Sequence, residues 1–281
     1  MSHRFDWKTW TIGHWSWWRV LRILLLSYGT IATYGYFFSD RQMFPAPPPS
    51  YRDRPDILKL TTANQQQLSA LYLNHPTAQY TVLYSHGNGE DLGKIQPHLT
   101  QLNRLGFRVF AYDYRGYGTS QGQPSESAAY EDIQTVYNYL TTQLKTPSHQ
   151  IILMGRSIGS GPSVYLATQK PVAGLILESA FTSIFRVLVP FPLLPFDKFP
   201  NRDRLPQVRC PVLIIHGTQD SIIPFHHGQA LYATANQPKT FLPIVDADHN
   251  NVSGVGGAQY WQGIQTFQNQ LANQQPRKLC Q

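Results

Sequence analysis

The sequence predicts an α/β domain in which a mostly parallel central sheet carries helices on both faces. Two observations predict it. Short apolar runs that suit buried strands alternate with stretches that suit helices between about residue 81 and residue 271. One of these runs, 151–154, leads directly into Gly155-Arg156-Ser157-Ile158-Gly159, and helix-compatible sequence follows at 163–169. Ligands on such sheets bind outside the carboxyl ends of the strands, so functional residues are expected there.

Length and charge narrow the class of protein. The 281 residues suffice for one large domain. The formal net charge is +7, and the segment up to Lys59, with eight basic and four acidic residues, carries +4 of it. The rest of the chain has no basic stripe with interleaved aromatic residues, which argues against nucleic-acid binding. Cys210 and Cys280 have no C-x-x-C partner, so we expect no zinc site and no disulfide framework; two free thiols are expected, and a single bridge between them is the alternative. No set of metal ligands is evident among the histidines, and no cofactor is expected.

Residues 1–44 are predicted to form a membrane anchor. The stretch 20–38 is mostly apolar, and tryptophans at positions 7, 10, 15, 17 and 18 suit the headgroup region. A cleaved signal peptide and a buried core helix are the alternatives, but 38–40 is a poor cleavage site and a core helix leaves the tryptophans without a role. We therefore expect association with a membrane through an uncleaved segment. Basic residues before it favour a cytoplasmic amino terminus, and the side of the membrane that holds the domain stays open.

The remaining boundaries come from prolines and turn residues. Residues 45–55, with Pro45-Ala46-Pro47-Pro48-Pro49, are predicted to be a stiff linker. The domain is predicted at 56–272 and a loose polar tail at 273–281. Within the domain, an edge hairpin is expected from 57–61 and 68–73. The further predicted strands are 81–85, 108–112, 151–154, 172–177, 211–215 and 240–245. The predicted helices are 92–105, 126–144, 163–169 and 258–271.

An insertion interrupts the alternation at 182–208. It is rich in proline and in large apolar residues and is long for a loop between a helix and a strand. We predict a short lid over the mouth of the site, and the alternative is an irregular covering loop.

Gly155–Gly159 has the Gly-x-Ser-x-Gly form of a nucleophile elbow, which presents a serine on a strained turn between a strand and a helix. The alternative is a glycine- and serine-rich turn that has no catalytic role. A serine nucleophile needs a base, usually an imidazole oriented by a carboxylate. Asp220 and His249 each follow a predicted strand and complete the chain order serine, acid, histidine. We therefore predict Ser157, Asp220 and His249 as catalytic residues.

Other ionisable residues near these positions receive different interpretations. Glu178 is the second candidate for the acid. Asp246 and Asp248 are expected to point away from the histidine between them, and His226 and His227 to begin a helix rather than bind a ligand.

Acyl transfer also requires donors for an oxyanion. The backbone N–H of Ile158 and the residue Asn88, in the loop after the strand 81–85, are predicted to supply them. The side chain of Asn88 could instead shape that loop. The span from His86 to Asp91 also matches a His-x-x-x-x-Asp acyltransferase string, which is the alternative interpretation of this loop.

The motifs resemble those of the α/β-hydrolase superfamily. They are the stretches 85–93, 112–118, 155–159, 196–201 and 212–220. In particular they resemble the branch of eukaryotic membrane-associated proteins that remove palmitate from protein cysteines. The resemblance covers about 58–271 and implies an α/β-hydrolase fold with a catalytic triad, to which the insertion 182–208 adds the predicted short lid. Those relatives are held to membranes by an amino-terminal cysteine cluster, whereas this chain has no cysteine before Cys210.

The function expected from these residues is that of a serine hydrolase, which cleaves acyl esters or thioesters through a Ser-His-Asp triad and an acyl-enzyme intermediate. Depalmitoylation is the specific activity that the resemblance implies. A peptidase on the same scaffold and a catalytically silent, membrane-tethered binding module are the alternatives.

Overall fold

The computed structural model describes residues 17–273. Contacts divide the chain into two compact units between Gln42 and Met43. Residues 1–16 of the predicted anchor and 274–281 of the predicted tail lie outside the described residues.

The described residues of the first unit, 17–42, all lie in one long helix, α1, Trp17–Met43, whose last residue is the first of the second unit. Its most apolar 18-residue window has a mean hydropathy of 1.2, and none of that window is buried. Among the described residues it is the one helix long and apolar enough to cross a membrane. Helix α1 is therefore a candidate membrane anchor.

The second unit is built on one mixed sheet. Within residues 17–273 the sheet has eight strands, in the order β1-β2-β4-β3-β5-β6-β7-β8. Strand β2 runs antiparallel to both β1 and β4, and the remaining neighbours are parallel. The strands are β1 Ile57–Thr61, β2 Gln67–Leu73, β3 Thr81–Ser85, β4 Arg108–Tyr112, β5 Ile151–Arg156, β6 Gly174–Glu178, β7 Val212–Gly217 and β8 Lys239–Ile244.

Helices cover both faces of this sheet, which confirms the predicted fold class. Strands β3, β5, β6 and β7 are buried along their whole length, as expected for parallel strands covered on both sides. Side chains of α3 and α4 belong to one core cluster, and those of α2 and α8 to the other. The helices of this unit are α2 Leu92–Arg104, α3 Glu126–Thr142, α4 Ser160–Gln169, α5 Ile184–Leu188, α6 Asn201–Arg204, α7 His226–Thr234 and α8 Val252–Asn273.

The predicted linker differs from the structure, because the second unit begins at Met43. Met43 and Phe44 are buried in its core. Ser50 donates hydrogen bonds from its backbone N–H (2.6 Å) and its hydroxyl to the carboxylate of Asp91, the N-cap residue of α2. Tyr51 and Arg54 likewise donate to Asp113 (2.5 Å) and Gln96 (3.1 Å), so residues 45–55 do not form a free spacer.

The last helix has two parts. The stretch Val252–Asn273 is interrupted at Gly257, whose backbone is not helical (φ 45°) and is one that glycine adopts at little cost. The predicted helix 258–271 corresponds to the part after this kink, and the short part before it has no predicted counterpart. The insertion 182–208 forms the short helices α5 and α6, and its lid function stays a prediction.

Candidate active site

Ser157 lies at the point where the central strand β5 gives way to a 3₁₀ turn, 157–159, and then to α4. Its φ is 53°, a left-handed conformation that a residue with a β-carbon rarely adopts. The flanking glycines make the turn sterically feasible. A β-carbon at Gly159 would lie 2.1 Å from the carbonyl oxygen of Ser85, and one at Gly155 would lie 2.4 Å from that of Gly159. The turn is therefore packed against the end of β3.

Three side chains from separate strand ends meet at this turn. The Oγ of Ser157 lies 3.0 Å from Nε2 of His249, in the loop after β8. The Nδ1 of His249 lies 2.9 Å from Oδ2 and 3.1 Å from Oδ1 of Asp220, in the loop after β7. All three residues are buried. The structure thus brings the predicted serine, histidine and acid into one chain of hydrogen bonds.

The environment of Asp220 keeps its carboxyl group ionised. Burial acts to raise its pKa, but hydrogen bonds from His249 and from the backbone N–H of Ile223 outweigh that effect and leave the pKa below its ordinary value. The N–H groups of Ile222 and Ile223 both donate to Oδ1, at 3.0 and 2.7 Å. An ionised carboxylate can only accept, so Nδ1 of His249 must donate. In the neutral imidazole, Nε2 then has a lone pair that faces the hydroxyl of Ser157.

The competing residues are engaged elsewhere. Glu178 interacts with Arg156 (3.3 Å) and accepts a hydrogen bond from the hydroxyl of Tyr260. Asp248 accepts from the hydroxyl and the backbone N–H of Ser221. His227, in the first turn of α7, has Nδ1 3.0 Å from the hydroxyl of Thr182. Burial, followed by the nearby His226, lowers the pKa of His227 to about 4.

The loop after β3 uses the side chain of Asn88 for its own architecture. Its Nδ2 donates to the carbonyl of Met43 at 2.8 Å, and its Oδ1 accepts from the hydroxyl of Tyr117 (2.6 Å) and the N–H of Gly89 (3.1 Å). An oxyanion contact from Asn88 must therefore come from its backbone N–H. Ile158, the other predicted donor, lies in the 3₁₀ turn directly after Ser157 and is buried.

His86 and Asp91 do not form the pair that the acyltransferase string would require. The Nε2 of His86 lies 3.3 Å from Asp113, and its Nδ1 lies 2.8 Å from the carbonyl of Gly87. Asp91 caps α2 by accepting from the N–H of Lys94 at 3.0 Å. Within residues 17–273, no group of three or more His, Cys, Asp or Glu side chains could hold a metal ion.

Sequence reasoning missed one residue of this site. Arg156, between Gly155 and Ser157, is buried, and its guanidinium contacts Glu90, Glu178, the carbonyl of His249 and the side chain of Asn250. A signal was available, since an arginine closes an otherwise apolar buried strand.

Comparison with known proteins agrees with this fold. The family model for the serine aminopeptidases, S33, matches residues 76–196. The chain is 38% identical over 220 residues to α/β-hydrolase domain-containing protein 17B of Xenopus tropicalis, covering 77% of this chain and 76% of that protein. It is 37% identical over 223 residues to protein 17B of Homo sapiens, covering 78% and 77%.

An esterase of Pyrococcus furiosus has a similar fold, with a TM-score of 0.69 at 17% identity over 80% of this chain and 98% of the esterase. The identity to the 17B proteins, over more than two thirds of each chain, shows the family. The chain belongs to the α/β-hydrolase domain-containing protein 17 family and is a serine hydrolase.

Proposed function

We propose that the chain hydrolyses acyl esters or thioesters through an acyl-enzyme intermediate, with Ser157 as nucleophile, His249 as base and Asp220 as orienting acid. The observation that carries the proposal is the continuous contact from Oγ of Ser157 to Nε2 of His249 (3.0 Å) and from its Nδ1 to Asp220 (2.9 Å). This geometry is within the range expected of a nucleophile, its base and the group that orients the base.

In the first half-reaction, Oγ of Ser157 bonds to the acyl carbon while Nε2 of His249 takes the hydroxyl proton. The negative charge on the acyl oxygen is stabilised by the backbone N–H groups of Ile158 and Asn88. The bond to the alcohol or thiol then breaks, and the imidazolium gives its proton to that leaving group. In the second half-reaction, a water oxygen bonds to the acyl carbon while Nε2 of His249 takes a proton from that water. The bond between the acyl carbon and Oγ of Ser157 then breaks, the imidazolium returns the proton to Oγ, and a carboxylic acid and the free serine are released.

The proposed substrates carry an acyl chain, and the resemblance to depalmitoylases makes a protein S-acyl cysteine the specific candidate. Two features support a lipid-like substrate. The insertion 182–208 exposes Leu188, Phe191 and Leu193, and exposed apolar surface of this kind often marks an interaction site. Helix α1 is a candidate membrane anchor, which would keep the enzyme where acylated proteins reside.

A panel of p-nitrophenyl esters and acyl thioesters of graded chain length tests this proposal. We expect hydrolysis to depend on chain length and Ser157→Ala to lower kcat by about 10⁶ if the three residues act as a unit. A fluorophosphonate probe should label the wild type at Ser157 and leave the variant unlabelled. Undiminished hydrolysis by Ser157→Ala would overturn the proposal, and absence of labelling in the wild type would favour a silent binding module.

The description of the matching family model makes an aminopeptidase the second candidate. Such an enzyme needs a carboxylate near the mouth to hold a free amino terminus. The insertion has two acidic residues, and Asp197 is committed to the hydroxyl of Ser183 (2.7 Å) and the backbone N–H of Phe185 (2.9 Å). The other, Asp203, lies in α6 between Arg202 and Arg204, whose positive charges disfavour the approach of a free amino terminus. We therefore expect aminoacyl amides, offered beside the acyl esters, to be poor substrates. Faster turnover of the aminoacyl amides than of the acyl esters would make the aminopeptidase the first candidate.

A further inference from the structure

The guanidinium of Arg156 is the centre of a buried polar cluster behind Ser157. Its Nη1 donates to Oε1 of Glu90, and its Nε lies 3.3 Å from Oε1 of Glu178. Its Nη2 donates twice, to the backbone carbonyl of His249 at 3.2 Å and to Oδ1 of Asn250 at 3.0 Å. One rigid planar group thus has acceptors on all three of its nitrogens.

These acceptors belong to different parts of the proposed catalytic apparatus. Glu90 lies in the loop that contains Asn88, and its Oε2 accepts the backbone N–H of Gly87 at 2.8 Å. His249 is the proposed base. Arg156 itself is joined by a peptide bond to Ser157. The guanidinium therefore connects the nucleophile, the loop that contains His249 and the loop 87–90. The last of these contains Asn88, whose backbone N–H is a proposed oxyanion donor.

The cluster is built around an arginine specifically. Burial acts to lower the pKa of Arg156, but the carboxylates of Glu178 and Glu90 outweigh it and raise the pKa above its ordinary value. The side chain therefore stays charged. A guanidinium holds several acceptors in one fixed plane, whereas a lysine ammonium is a point charge on a flexible stem. The ion pair of Arg156 with Glu90 is also closely packed against Gly87. A β-carbon at Gly87 would lie 2.8 Å from Oε2 of Glu90 and 3.1 Å from Nη1 of Arg156.

We propose that Arg156 is a positioning residue, which fixes the loop 87–90 and the backbone of His249 relative to Ser157 in the geometry that acyl transfer requires. This inference rests on the proposed function, since it assigns a role in that reaction. Arg156 does not touch the reacting atoms, and it acts through the carbonyl of His249 and through Glu90.

The test replaces Arg156 by lysine, which keeps the charge and loses the planar fork. Because a misplacement of about 1 Å in a catalytic group can cost about 100-fold in rate, we expect Arg156→Lys to lower kcat by about 10- to 100-fold. KM should stay within about twofold, because the exposed apolar residues of the insertion 182–208, which are proposed to meet the acyl chain, are not changed. The rate constant for fluorophosphonate labelling of Ser157 should fall by a similar factor. All rates are normalised to the concentration of reactive enzyme found by titration with the probe.

Arg115 provides a matched control. It is also buried and also lies between two carboxylates, those of Glu131 and Asp132, each at 2.6 Å, but these belong to α3 and not to the site. Arg115→Lys should lower the thermal midpoint and leave kcat per reactive enzyme within about twofold. A role of Arg156 in folding alone would make the two variants behave alike.

The outcomes are distinct. A wild-type kcat and labelling rate in Arg156→Lys, or an equal loss in both lysine variants, overturns the inference. If Arg156→Lys does not fold, Glu90→Gln is measured instead: a labelling rate reduced more than about fivefold supports the inference, and one within about twofold of the wild type overturns it. Failure of the proposed function would be seen separately, as hydrolysis that survives Ser157→Ala.

Discussion

Replacement of Asp220 by asparagine tests the proposed base most sharply, because the structure fixes how the amide would sit. The N–H groups of Ile222 and Ile223 both point at Oδ1 of Asp220, so the amide oxygen of the new side chain must take that position. Its NH₂ group then replaces Oδ2, which lies 2.9 Å from Nδ1 of His249. An NH₂ group only donates, so at this shorter contact Nδ1 must accept, which favours the tautomer with its proton on Nε2. The competing bond, from Nδ1 to the amide oxygen at the 3.1 Å of Oδ1, is longer, and that oxygen already accepts from two backbone N–H groups.

That tautomer cannot serve as a base for Ser157. Its Nε2, 3.0 Å from Oγ, would donate to the hydroxyl instead of accepting its proton. In a serine protease, the corresponding inversion lowers kcat by about 10⁴, which is about 5.4 kcal/mol of transition-state stabilisation. We expect a loss of this order in Asp220→Asn, with little change in KM and with the folded state retained.

The measurement is kcat and KM on the ester that the wild type hydrolyses best, with circular dichroism to show that the variant is folded. Glu178→Gln is the comparison, because it neutralises the second candidate acid while its amide oxygen can still accept from Arg156. Its loss should be at least about 100-fold smaller. The reasoning fails if Asp220→Asn keeps more than a tenth of the wild-type kcat, or if Glu178→Gln is the more damaging change.

Three further predictions concern stability, pH and attachment to membranes. Gly159→Ala places a β-carbon 2.1 Å from the carbonyl oxygen of Ser85 and should lower the free energy of unfolding, measured in urea, by about 3 kcal/mol or more. The control Gly254→Ala, with no atom within 4 Å of the new carbon, should leave that free energy unchanged or raise it by up to about 1 kcal/mol. Equal effects of the two substitutions would contradict the steric account. The pKa of His227 is lowered to about 4, so the unfolded chain binds more protons between about pH 6.5 and pH 4 and stability falls as the pH drops through that window. His227→Gln should flatten this fall in urea midpoints, and an unchanged slope would argue against a neutral buried imidazole. A chain without residues 1–42 should leave the membrane fraction on ultracentrifugation and stay folded, whereas persistent sedimentation with membranes would show that the anchor lies elsewhere.

The fold could be predicted from the sequence because its signals are local. Buried parallel strands appear as short apolar runs, and the sharp turn at Ser157 requires glycines at fixed spacing. Asp220 and His249 could be nominated because strand ends of a parallel sheet meet at one edge. Their catalytic roles stay predictions, and the experiments above test them.

What sequence reasoning missed depends on contacts between distant residues. The ion pair of Arg156 with Glu90 joins residues 66 apart, and its bond to the carbonyl of His249 joins residues 93 apart. No periodicity encodes such a pairing. Likewise, the proline-rich stretch 45–55 has the composition of a free spacer, and its attachment to the domain is visible only in contacts with distant residues, such as the hydrogen bonds from Ser50 to Asp91, 41 residues away, and from Tyr51 to Asp113, 62 residues away.

The backbone of Ser157 also bears on the evolution of this chain. A left-handed residue with a β-carbon costs roughly 1–2 kcal/mol, a cost that glycine would remove. Some serine codons reach glycine through a single nucleotide change, so genetic drift offers a short path to a more stable protein without a hydroxyl. A related protein that kept the fold for binding and no longer needed catalysis could accept this substitution. Glycine at position 157 is therefore the change expected in relatives that have lost the hydrolase activity.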